Sequence, residues 1–415
     1  MKIAATSISL GFGLACLLGL AAESAAADTS FARIERGRHL VTAGDCIACH
    51  TAQGGKPFAG GRPIETPFGT IYSANITPDR KTGIGAWSDD DFYKALHRGI
   101  APSGAHLYPA FPYPYFTRLR RDDVLAMRAY LNTIDPVKSQ PRPPDLAWPL
   151  GYRFLMSGWN QLYFDEGDFH RAPDKSDEWN RGAYLVQGPA HCGACHTPKN
   201  FAGGDKTGHA LQGGVIQGWF APDITNDRRT GIGSWSGDEI VEYLKTGRND
   251  RSGATGMMAE VVADSTSKLP DQDLRAIAAY LKDQKGEEPA QPESPSQVAM
   301  KAGAAVYSDS CSACHQMNGK GVPGMFSPLA GSASAQSTDP TTLIRLVLEG
   351  GRTVSTDARP TPSSMPAYGW KLTDEEIANV LTFVRNHWGN VAAPVEASKV
   401  GAIREKLQET SHASR

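Results

Sequence analysis

The feature that most constrains this chain of 415 residues is a five-residue pattern, Cys-x-x-Cys-His, that occurs three times. The copies read "CIACH" from Cys46, "CGACH" from Cys192 and "CSACH" from Cys311. Apart from Cys16 near the start, they use every cysteine of the chain. A fold for this sequence must therefore present the same small site three times.

Two thiols three positions apart on a helical backbone face the same side. They can form thioethers with the two vinyl groups of one haem, and the next residue, a histidine, then lies beneath the ring, where its imidazole reaches the iron. This spacing is the signature of c-type haem attachment. The residues predicted to bind three haem c groups covalently are Cys46, Cys49, Cys192, Cys195, Cys311 and Cys314. The predicted proximal iron ligands are His50, His196 and His315.

Two other kinds of site also use Cys-x-x-Cys. A structural zinc ion needs four ligands, so each isolated motif would leave its zinc one ligand short. A thioredoxin-like dithiol would need a βαβ pattern around it, and the sequence does not show one. Covalent haem is the interpretation that also accounts for the histidine.

The first residues are typical of an exported protein. Lys2 is followed by an apolar core, and Ala25 begins a run of small residues that suits cleavage before Asp28. We expect residues 1–27 to be a secretory signal peptide, with a retained membrane anchor as the alternative. No later stretch of about 18 apolar residues follows, so no further membrane-spanning helix is expected. The net charge of −2 gives no reason to expect nucleic acid, which asks for a basic stripe.

Longer stretches of the sequence carry a family resemblance. They are "GDCIACHT", "GKPFAGGRPIETPFGTIYSANITPD", "HLYPAFPYP", "WNRGAYLVQGPAHCGACHTPKN" and "FVRNHWGN". The chain resembles the three-haem cytochrome c subunits of membrane-bound bacterial dehydrogenases that oxidise alcohol, gluconate or sorbitol. The resemblance implies a mainly α fold of three tandem class I cytochrome c domains. It also implies a periplasmic protein, peripherally attached to the inner membrane, that passes electrons from a large PQQ- or FAD-dependent dehydrogenase subunit to ubiquinone.

Internal repetition supports this organisation. The stretch 75–96, "NITPDRKTGIGAWSDDDFYKAL", matches 223–244, "DITNDRRTGIGSWSGDEIVEYL", which indicates a duplicated structural unit. Proline-rich polar linkers separate the units. The predicted divisions are a signal peptide at 1–27, a first cytochrome c domain at 28–150, an apolar connecting segment at 151–169, a second domain at 170–285, a Pro-rich linker at 286–298, a third domain at 299–392 and a C-terminal tail at 393–415.

A low-spin electron-transfer haem needs a second axial ligand, most often a methionine. We expect it in the loop before the last helix of each unit. The third unit offers Met365 in "SSMPAYGW". The second offers "TGMMAEVV", where Met258 fits the pattern of the family and Met257 is the neighbouring alternative.

The first unit departs from this pattern, because aligning "FPYP" with "MPAY" places Phe111 where a methionine would lie. Phenylalanine cannot ligate iron, and Met127 is interpreted as a core residue of the closing helix. The remaining candidates are His106 in the same loop, which is preferred, and Met156 in the connecting segment. A His/His haem would have a lower potential than its neighbours, which would favour the first haem as an entry or quinone-facing point.

We expect an electron-transfer subunit without a substrate-converting site of its own, since no nucleophile–base pair appears outside the haem motifs. The alternatives are a haem enzyme of the peroxidase or thiosulfate dehydrogenase type that uses the first haem, and a soluble donor to a terminal oxidase. The aromatic segment from Leu146 to Phe164 suits either a bilayer or partner surface or a cover for the first domain. In the tail, Val400, Ile403 and Leu407 lie on a rough helical face.

Overall fold

The computed structural model describes residues 30–140, 142–287 and 289–413, so the predicted signal peptide lies outside the described residues. Within these ranges the fold is mainly helical, as predicted from the sequence. In the same ranges, no helix is both long enough and apolar enough to cross a bilayer.

The helices fall into three successive groups. The first group is α1 (Phe31–Ala43), α2 (Cys46–Cys49), α3 (Asp89–Arg98), α4 (Tyr113–Phe116), α5 (Arg121–Leu131) and the connecting helix α6 (Leu155–Tyr163). The second is α7 (Asp177–Gln187), α8 (Gly193–His196), α9 (Gly237–Thr246), α10 (Gly256–Asp264) and α11 (Asp271–Lys282), with 3₁₀ turns at Thr207–His209 and Thr266–Lys268. The third is α12 (Gln297–Ser310), α13 (Ser312–His315), α14 (Ala333–Gln336), α15 (Thr341–Glu349), α16 (Asp374–Arg385) and α17 (Ala397–Ala413).

Short antiparallel strands complete the described parts of the three units. The strands are β1 (Pro63–Thr66), β2 (Gly69–Tyr72), β3 (Asp145–Leu146), β4 (Gln212–Ile216), β5 (Trp219–Asp223), β6 (Gly351–Arg352) and β7 (Ser364–Met365). They form one three-stranded sheet in the order β1-β2-β3 and the two hairpin-like pairs β4-β5 and β6-β7. The sheets are too small to form a core, so each unit depends on packing between its helices.

The first and last helices of each unit cross in close contact, and a glycine makes each contact possible. A Cβ atom added to Gly37 in α1 would lie 1.8 Å from the carbonyl oxygen of Ala126 in α5. The same atom on Gly182 in α7 would lie 1.8 Å from the carbonyl oxygen of Ala276 in α11. Gly303 repeats the arrangement in the third unit, between α12 and α16. The glycine before each Cys-x-x-Cys-His motif is therefore required by the helix crossing.

The duplicated helices α3 and α9 show how local sequence sets their ends. Each begins at a capping box, formed by Ser88 with Asp91 and by Ser236 with Glu239. Each ends at a glycine with positive φ, a conformation that glycine adopts without steric cost. The repeat in the sequence is thus a repeat in structure.

The first and second units pack against each other through reciprocal contacts. The Tyr184 hydroxyl of α7 donates to the carboxylate of Asp123 in α5, and Tyr184 is part of the first hydrophobic core. In the opposite direction, His39 Nε2 of α1 lies 2.8 Å from Asp273 Oδ2 of α11. Burial alone would raise the pKa of Asp273, but hydrogen bonds from Arg181 and His39 outweigh it and hold that pKa below its usual range. The two units therefore form one approximately two-fold pair.

The third unit packs against the second. Thr342 at the start of α15 exchanges two hydrogen bonds with the backbone of Phe220, each 2.9 Å long. The Arg345 guanidinium lies 4.1 Å from the centre of the Trp219 ring, a cation–π contact. The second unit thus contacts both of its neighbours.

The C-terminal tail belongs to the third unit's core. Val400 of α17 is fully buried, and Ile403 and Leu407 pack against the same cluster. Arg404 anchors the helix through a 2.8 Å bond to Asp374 at the start of α16. The apolar face noted in the sequence is covered by the protein's own helices.

The connecting helix α6 lies over the first unit and reaches the second. Tyr113 of α4 donates its hydroxyl proton to Asn160 Oδ1 at 2.5 Å. Trp159 Nε1 donates to the carbonyl of Ala202, in the second unit, at 2.9 Å. Met156 is the only buried residue of this helix. The aromatic segment therefore does cover the first unit, although much of its apolar surface stays exposed.

Candidate functional site

Each Cys-x-x-Cys-His motif forms a single helical turn directly after the first helix of its unit. The histidine amide donates to the carbonyl of the first cysteine, at 2.9 Å in the first motif and 3.0 Å in the second and third. All six described cysteines are free thiols. The structure therefore brings two thiols and one imidazole together three times, as predicted.

A backbone carbonyl holds the ring of each motif histidine. His50 Nδ1 lies 2.6 Å from the oxygen of Ala74, His196 Nδ1 2.6 Å from that of Pro222, and His315 Nδ1 3.1 Å from that of Ser327. With Nδ1–H donating, Nε2 is the nitrogen that carries the free lone pair. Metal-ligating histidines almost always have such an outer partner, which sets the tautomer and the ring orientation.

Burial makes these groups neutral. Desolvation lowers the pKa of His50, His196 and His315, so the imidazoles carry no proton on Nε2 at neutral pH. Burial raises the pKa of Cys46 and Cys192 to about 12. Redox-active dithiols depend on a lowered thiol pKa, so these thiols have the opposite of the character that dithiol catalysis needs. Two neutral thiols and one oriented imidazole are the donor set that covalent haem requires.

The first and second motifs are direct neighbours. His191, next to Cys192, contacts the carbonyl of Gly44 through Nε2 at 3.2 Å. Burial raises the pKa of Cys49 to about 11, and the nearby thiol of Cys195 adds to the rise. The attachment sites of the first two units thus share one buried junction.

Tyr115 of the first unit lies against the second motif. A Cβ atom added to Gly193, inside that motif, would lie 2.9 Å from the Tyr115 hydroxyl oxygen. The hydroxyl donates to the carboxylate of Asp205, which also pairs with Lys199. Sequence reasoning missed this contact, although a signal was present: only the second motif has glycine after its first cysteine.

Asp45 is a second residue of this junction that sequence reasoning missed. Its Oδ1 is buried and has no hydrogen-bond partner among the described residues. Desolvation raises the pKa of Asp45 to about 8, and the neighbouring carboxylates of Asp264 and Glu260 add to the rise. A buried carboxyl whose pKa is raised well above its usual range therefore lies beside the first motif.

The backbone hydrogen bonds place Phe111 at the position that Met258 has in the second unit. In the first unit the amide of Leu107 donates to the carbonyl of the glycine that ends α3, at 2.7 Å. In the second unit the amide of Ala254 makes the same 2.7 Å bond to the glycine that ends α9. Phe111 and Met258 each lie four residues beyond this bond. The position that offers a thioether in the second unit offers only a phenyl ring in the first.

The candidate methionines of the second and third units differ in setting. Met258 and Met257 lie in the first turn of α10, not in the loop expected from the sequence, because "MMAEVVAD" continues as a helix. Helix α10 packs against α2 of the first unit. Met365 lies in strand β7, paired with Gly351. All three methionines are half-buried.

The two candidates of the first unit have different surroundings. His106 Nδ1 is buried and has no hydrogen-bond partner in the described part of the chain, while its carbonyl accepts a 2.9 Å bond from Arg153. Met156 points into the protein from α6, the helix that is bonded to Tyr113 two residues after Phe111. Both candidates therefore belong to the same side of the first unit.

Comparisons with known proteins agree with this geometry. The family model described as cytochrome c matches residues 34–135, 180–285 and 300–388. The chain is 40% identical to the cytochrome c subunit of gluconate 2-dehydrogenase from Pantoea cypripedii, over 96% of each protein. It is 43% identical to the cytochrome c subunit of a quinone alcohol dehydrogenase from Gluconobacter oxydans, over 95% of this chain and 87% of that one. It is 38% identical to the cytochrome subunit of fructose dehydrogenase from Gluconobacter japonicus, over 89% and 82%.

Proposed function

The chain belongs to the cytochrome c family, among the cytochrome c subunits of dehydrogenases, and we propose that it relays electrons from a dehydrogenase subunit to ubiquinone through three haem c groups. The observation that carries the proposal is the direct packing of the first two motifs, together with a second unit that also contacts the third. Three such sites in units that contact one another in sequence suit a relay of electrons, which a protein with one isolated haem cannot provide. The names of its relatives, cytochrome subunits of gluconate, alcohol and fructose dehydrogenases, support the same role.

The proposed haem sites follow the motifs. Haem c supplies a one-electron couple at each site when bound. The domains at 28–150, 170–285 and 299–392 would each hold one haem. The thioether-forming residues would be Cys46, Cys49, Cys192, Cys195, Cys311 and Cys314, with His50, His196 and His315 as proximal ligands. The carbonyls bonded to Nδ1 of each histidine hold the imidazole in place and increase its basicity as a ligand.

We propose Met258 and Met365 as the second axial ligands of the second and third haems, with Met257 as the alternative to Met258. A thioether raises the haem potential relative to a second imidazole. Both residues are half-buried and lie ahead of the last helix of their units, as the fold requires.

For the first haem the contacts favour Met156 over His106, the residue preferred from the sequence. An imidazole that ligates through Nε2 needs a partner for Nδ1–H, yet Nδ1 of His106 is buried without one among the described residues. The same atom has no accessible space beside it, so it is not placed to ligate iron itself. Met156 is the buried residue of the helix that covers the Phe111 loop.

This assignment predicts different outcomes for two variants. Met156→Ala should remove one third of the red charge-transfer absorbance that methionine-ligated ferric haem c shows, and should lower the potential of one haem. His106→Ala should leave both unchanged, because its ring is not a ligand. Spectra and redox titrations of the full-length holoprotein measure both effects. The reverse pattern, with His106→Ala changing the spectrum, would restore the sequence-based assignment.

The partner and the location complete the proposal. The partner would be a large PQQ- or FAD-dependent dehydrogenase subunit that oxidises an alcohol, a sugar or a sugar acid. The protein would be periplasmic and peripherally attached to the inner membrane, with the described residues offering no membrane-spanning helix. Electrons would enter from the partner and leave to ubiquinone.

The test is expression of the chain with the dehydrogenase encoded beside it. We expect the two subunits to co-purify, and the dehydrogenase substrate to reduce the haems and then ubiquinone in liposomes. Binding of peroxide or cyanide to the first haem, with turnover of peroxide and no dehydrogenase partner, would instead support the haem enzyme alternative. Reduction of a terminal oxidase without ubiquinone reduction would support the soluble donor.

A further inference from the structure

A cavity of about 420 Å³ lies between the end of α3 and helix α6, on the first unit. It is lined by Arg98, Ile100, Asn160, Gln161, Phe164 and Glu166. Helix α17 of the third unit also follows the last helix of its unit, but its apolar residues pack on that unit's hydrophobic core. The cavity is therefore a feature that the connecting segment adds to the first unit.

The polar side chains around the cavity are hydrogen-bond donors without acceptors. Asn160 Oδ1 accepts from Tyr113, which leaves the amide Nδ2 free among the described residues. Gln161 is exposed and makes no side-chain bond to any described residue. Arg98 uses Nε to bind Glu166 at 2.7 Å, and its two terminal nitrogens have no partner in the described part of the chain. A ligand rich in acceptors would satisfy all three side chains.

The apolar walls of the cavity also restrict the shape of a ligand that could bind there. Phe164 supplies an aromatic wall, held in place by its edge-to-face contact with Tyr113 at 5.1 Å, and Ile100 supplies an aliphatic one. A flat ring with carbonyl oxygens at opposite ends matches this combination. A quinone ring has carbonyl and methoxy acceptors and no donor, so it is the complement of the free amides and guanidinium.

The cavity is lined by helix α6, the helix that also carries Met156, a candidate ligand of the first haem. Asn160 lies one helical turn after Met156, about 6 Å along the axis at 1.5 Å per residue. Its partner Tyr113 lies two residues after Phe111, the residue at the position that Met258 has in the second unit. This placement does not depend on which residue is the sixth ligand. A ring in the cavity would lie on the side of the first unit that carries both candidate ligands of the first haem.

The exposed apolar surface beside the cavity suits contact with the membrane–water interface. Trp148, Phe154 and Leu162, all from the same segment, are 85%, 67% and 74% exposed. Tryptophan and other amphipathic aromatic residues are enriched where proteins meet the membrane interface. An isoprenoid tail could pass from the cavity over this apolar surface into the bilayer.

We propose that this cavity binds the ring of a membrane quinone, with Arg98, Asn160 and Gln161 donating to its oxygen atoms and Phe164 packing on the ring. The inference rests on the proposed function, which supplies the electrons. Each quinone takes two electrons, delivered singly through the first haem, and two protons from water, and leaves as the quinol. Glu166 is the exposed acid beside the cavity through which those protons can pass.

The experiment uses the full-length holoprotein in detergent with decylubiquinone as the probe. Binding is measured by equilibrium titration, and contact residues are mapped by photo-crosslinking with an azido derivative of the same quinone. Gln161→Leu and Asn160→Leu should each weaken binding by about three- to tenfold, since the net contribution of one hydrogen bond is of that order. Gln53→Leu, which removes another exposed glutamine that does not line the cavity, is the matched control and should bind as the unaltered protein does.

The outcomes separate the cavity from the proposed function. Crosslinks at 98–100 and 160–166 with weakened binding in the Gln161 variant support the proposal. If quinone binding is unchanged in Gln161→Leu and Asn160→Leu, or if the crosslinks lie elsewhere, the cavity is not the quinone site. The proposal that the protein reduces quinone is then unaffected. Unaltered protein that neither binds nor reduces quinone, although the dehydrogenase still reduces its haems, overturns the quinone as acceptor.

Discussion

Replacing Gly182 by alanine is expected to prevent the second unit from folding around its haem. The new Cβ would lie 1.8 Å from the carbonyl oxygen of Ala276, so α7 and α11 would have to move apart. Overpacking in a core costs typically about 1–3 kcal/mol and more where backbone cannot give way, and here the obstacle is backbone. We expect a loss of at least about 3 kcal/mol in the free energy of unfolding and the loss of one haem per chain.

The matched control for this substitution is Gly158→Ala in α6. A Cβ on Gly158 meets no atom within 4 Å, so the change adds a helix-favouring residue without a clash. We expect a stability that is unchanged or higher by about 0.5–1 kcal/mol. Thermal unfolding and haem content of both variants provide the comparison. If the Gly182→Ala protein is as stable as the Gly158→Ala protein, α7 and α11 do not cross closely enough at Gly182 to exclude a Cβ atom.

Replacing Met258 by alanine is expected to change the potential of the second haem more than any other single methionine substitution in that unit. Loss of the thioether leaves the iron with water or a weaker ligand. The potential should fall by about 0.1–0.3 V, a fraction of the roughly 0.8 V that axial ligands span. The red absorbance band of methionine-ligated ferric haem should fall with it. Redox titration of the full-length holoprotein, followed by its visible spectrum, measures both.

Met257→Ala is the internal control, because Met257 lies beside Met258 in the first turn of α10 and is buried to a similar degree. We expect it to leave the potentials and the band unchanged. If Met257→Ala instead changes the potential and the band, and Met258→Ala does not, then Met257 is the ligand. Unchanged spectra in both variants would remove α10 from the second haem site.

The parts of the site that are contiguous in sequence could be predicted without a structure. Covalent attachment needs two thiols and a histidine at fixed local spacing, so Cys192, Cys195 and His196 were recognisable from five residues. The departure at Phe111 could also be predicted, because aligning "FPYP" with "MPAY" places it against Met365. The equivalent hydrogen bonds at the ends of α3 and α9 add a correspondence with Met258, which that alignment did not use.

The remaining features depend on contacts between residues far apart in sequence. The carbonyls of Ala74, Pro222 and Ser327 are chemically ordinary, and only folding brings them to the motif histidines. The approach of Tyr115 to Gly193 comes from the packing of two units, which no periodicity within one unit encodes. The burial of His106 Nδ1, which has no hydrogen-bond partner among the described residues, also comes from packing that the local sequence does not encode.

The C-terminal tail shows that an amphipathic pattern in the sequence does not reveal what covers the apolar face of a helix. An apolar face on Val400, Ile403 and Leu407 fits a membrane surface and a protein core equally well in sequence. The structure places that face on the third core, where Val400 is fully buried. The exposed apolar surface is instead on the connecting segment around Trp148 and Leu162.

The central claim is that each of the three motifs holds one covalent haem. The most direct measurement is the intact mass of the denatured, full-length holoprotein beside that of the double variant Cys311→Ser, Cys314→Ser. The account predicts a chain mass plus three haems for the unaltered protein and plus two for the variant. A mass with fewer than three haems, or haem that is removed by acid and acetone, would contradict it.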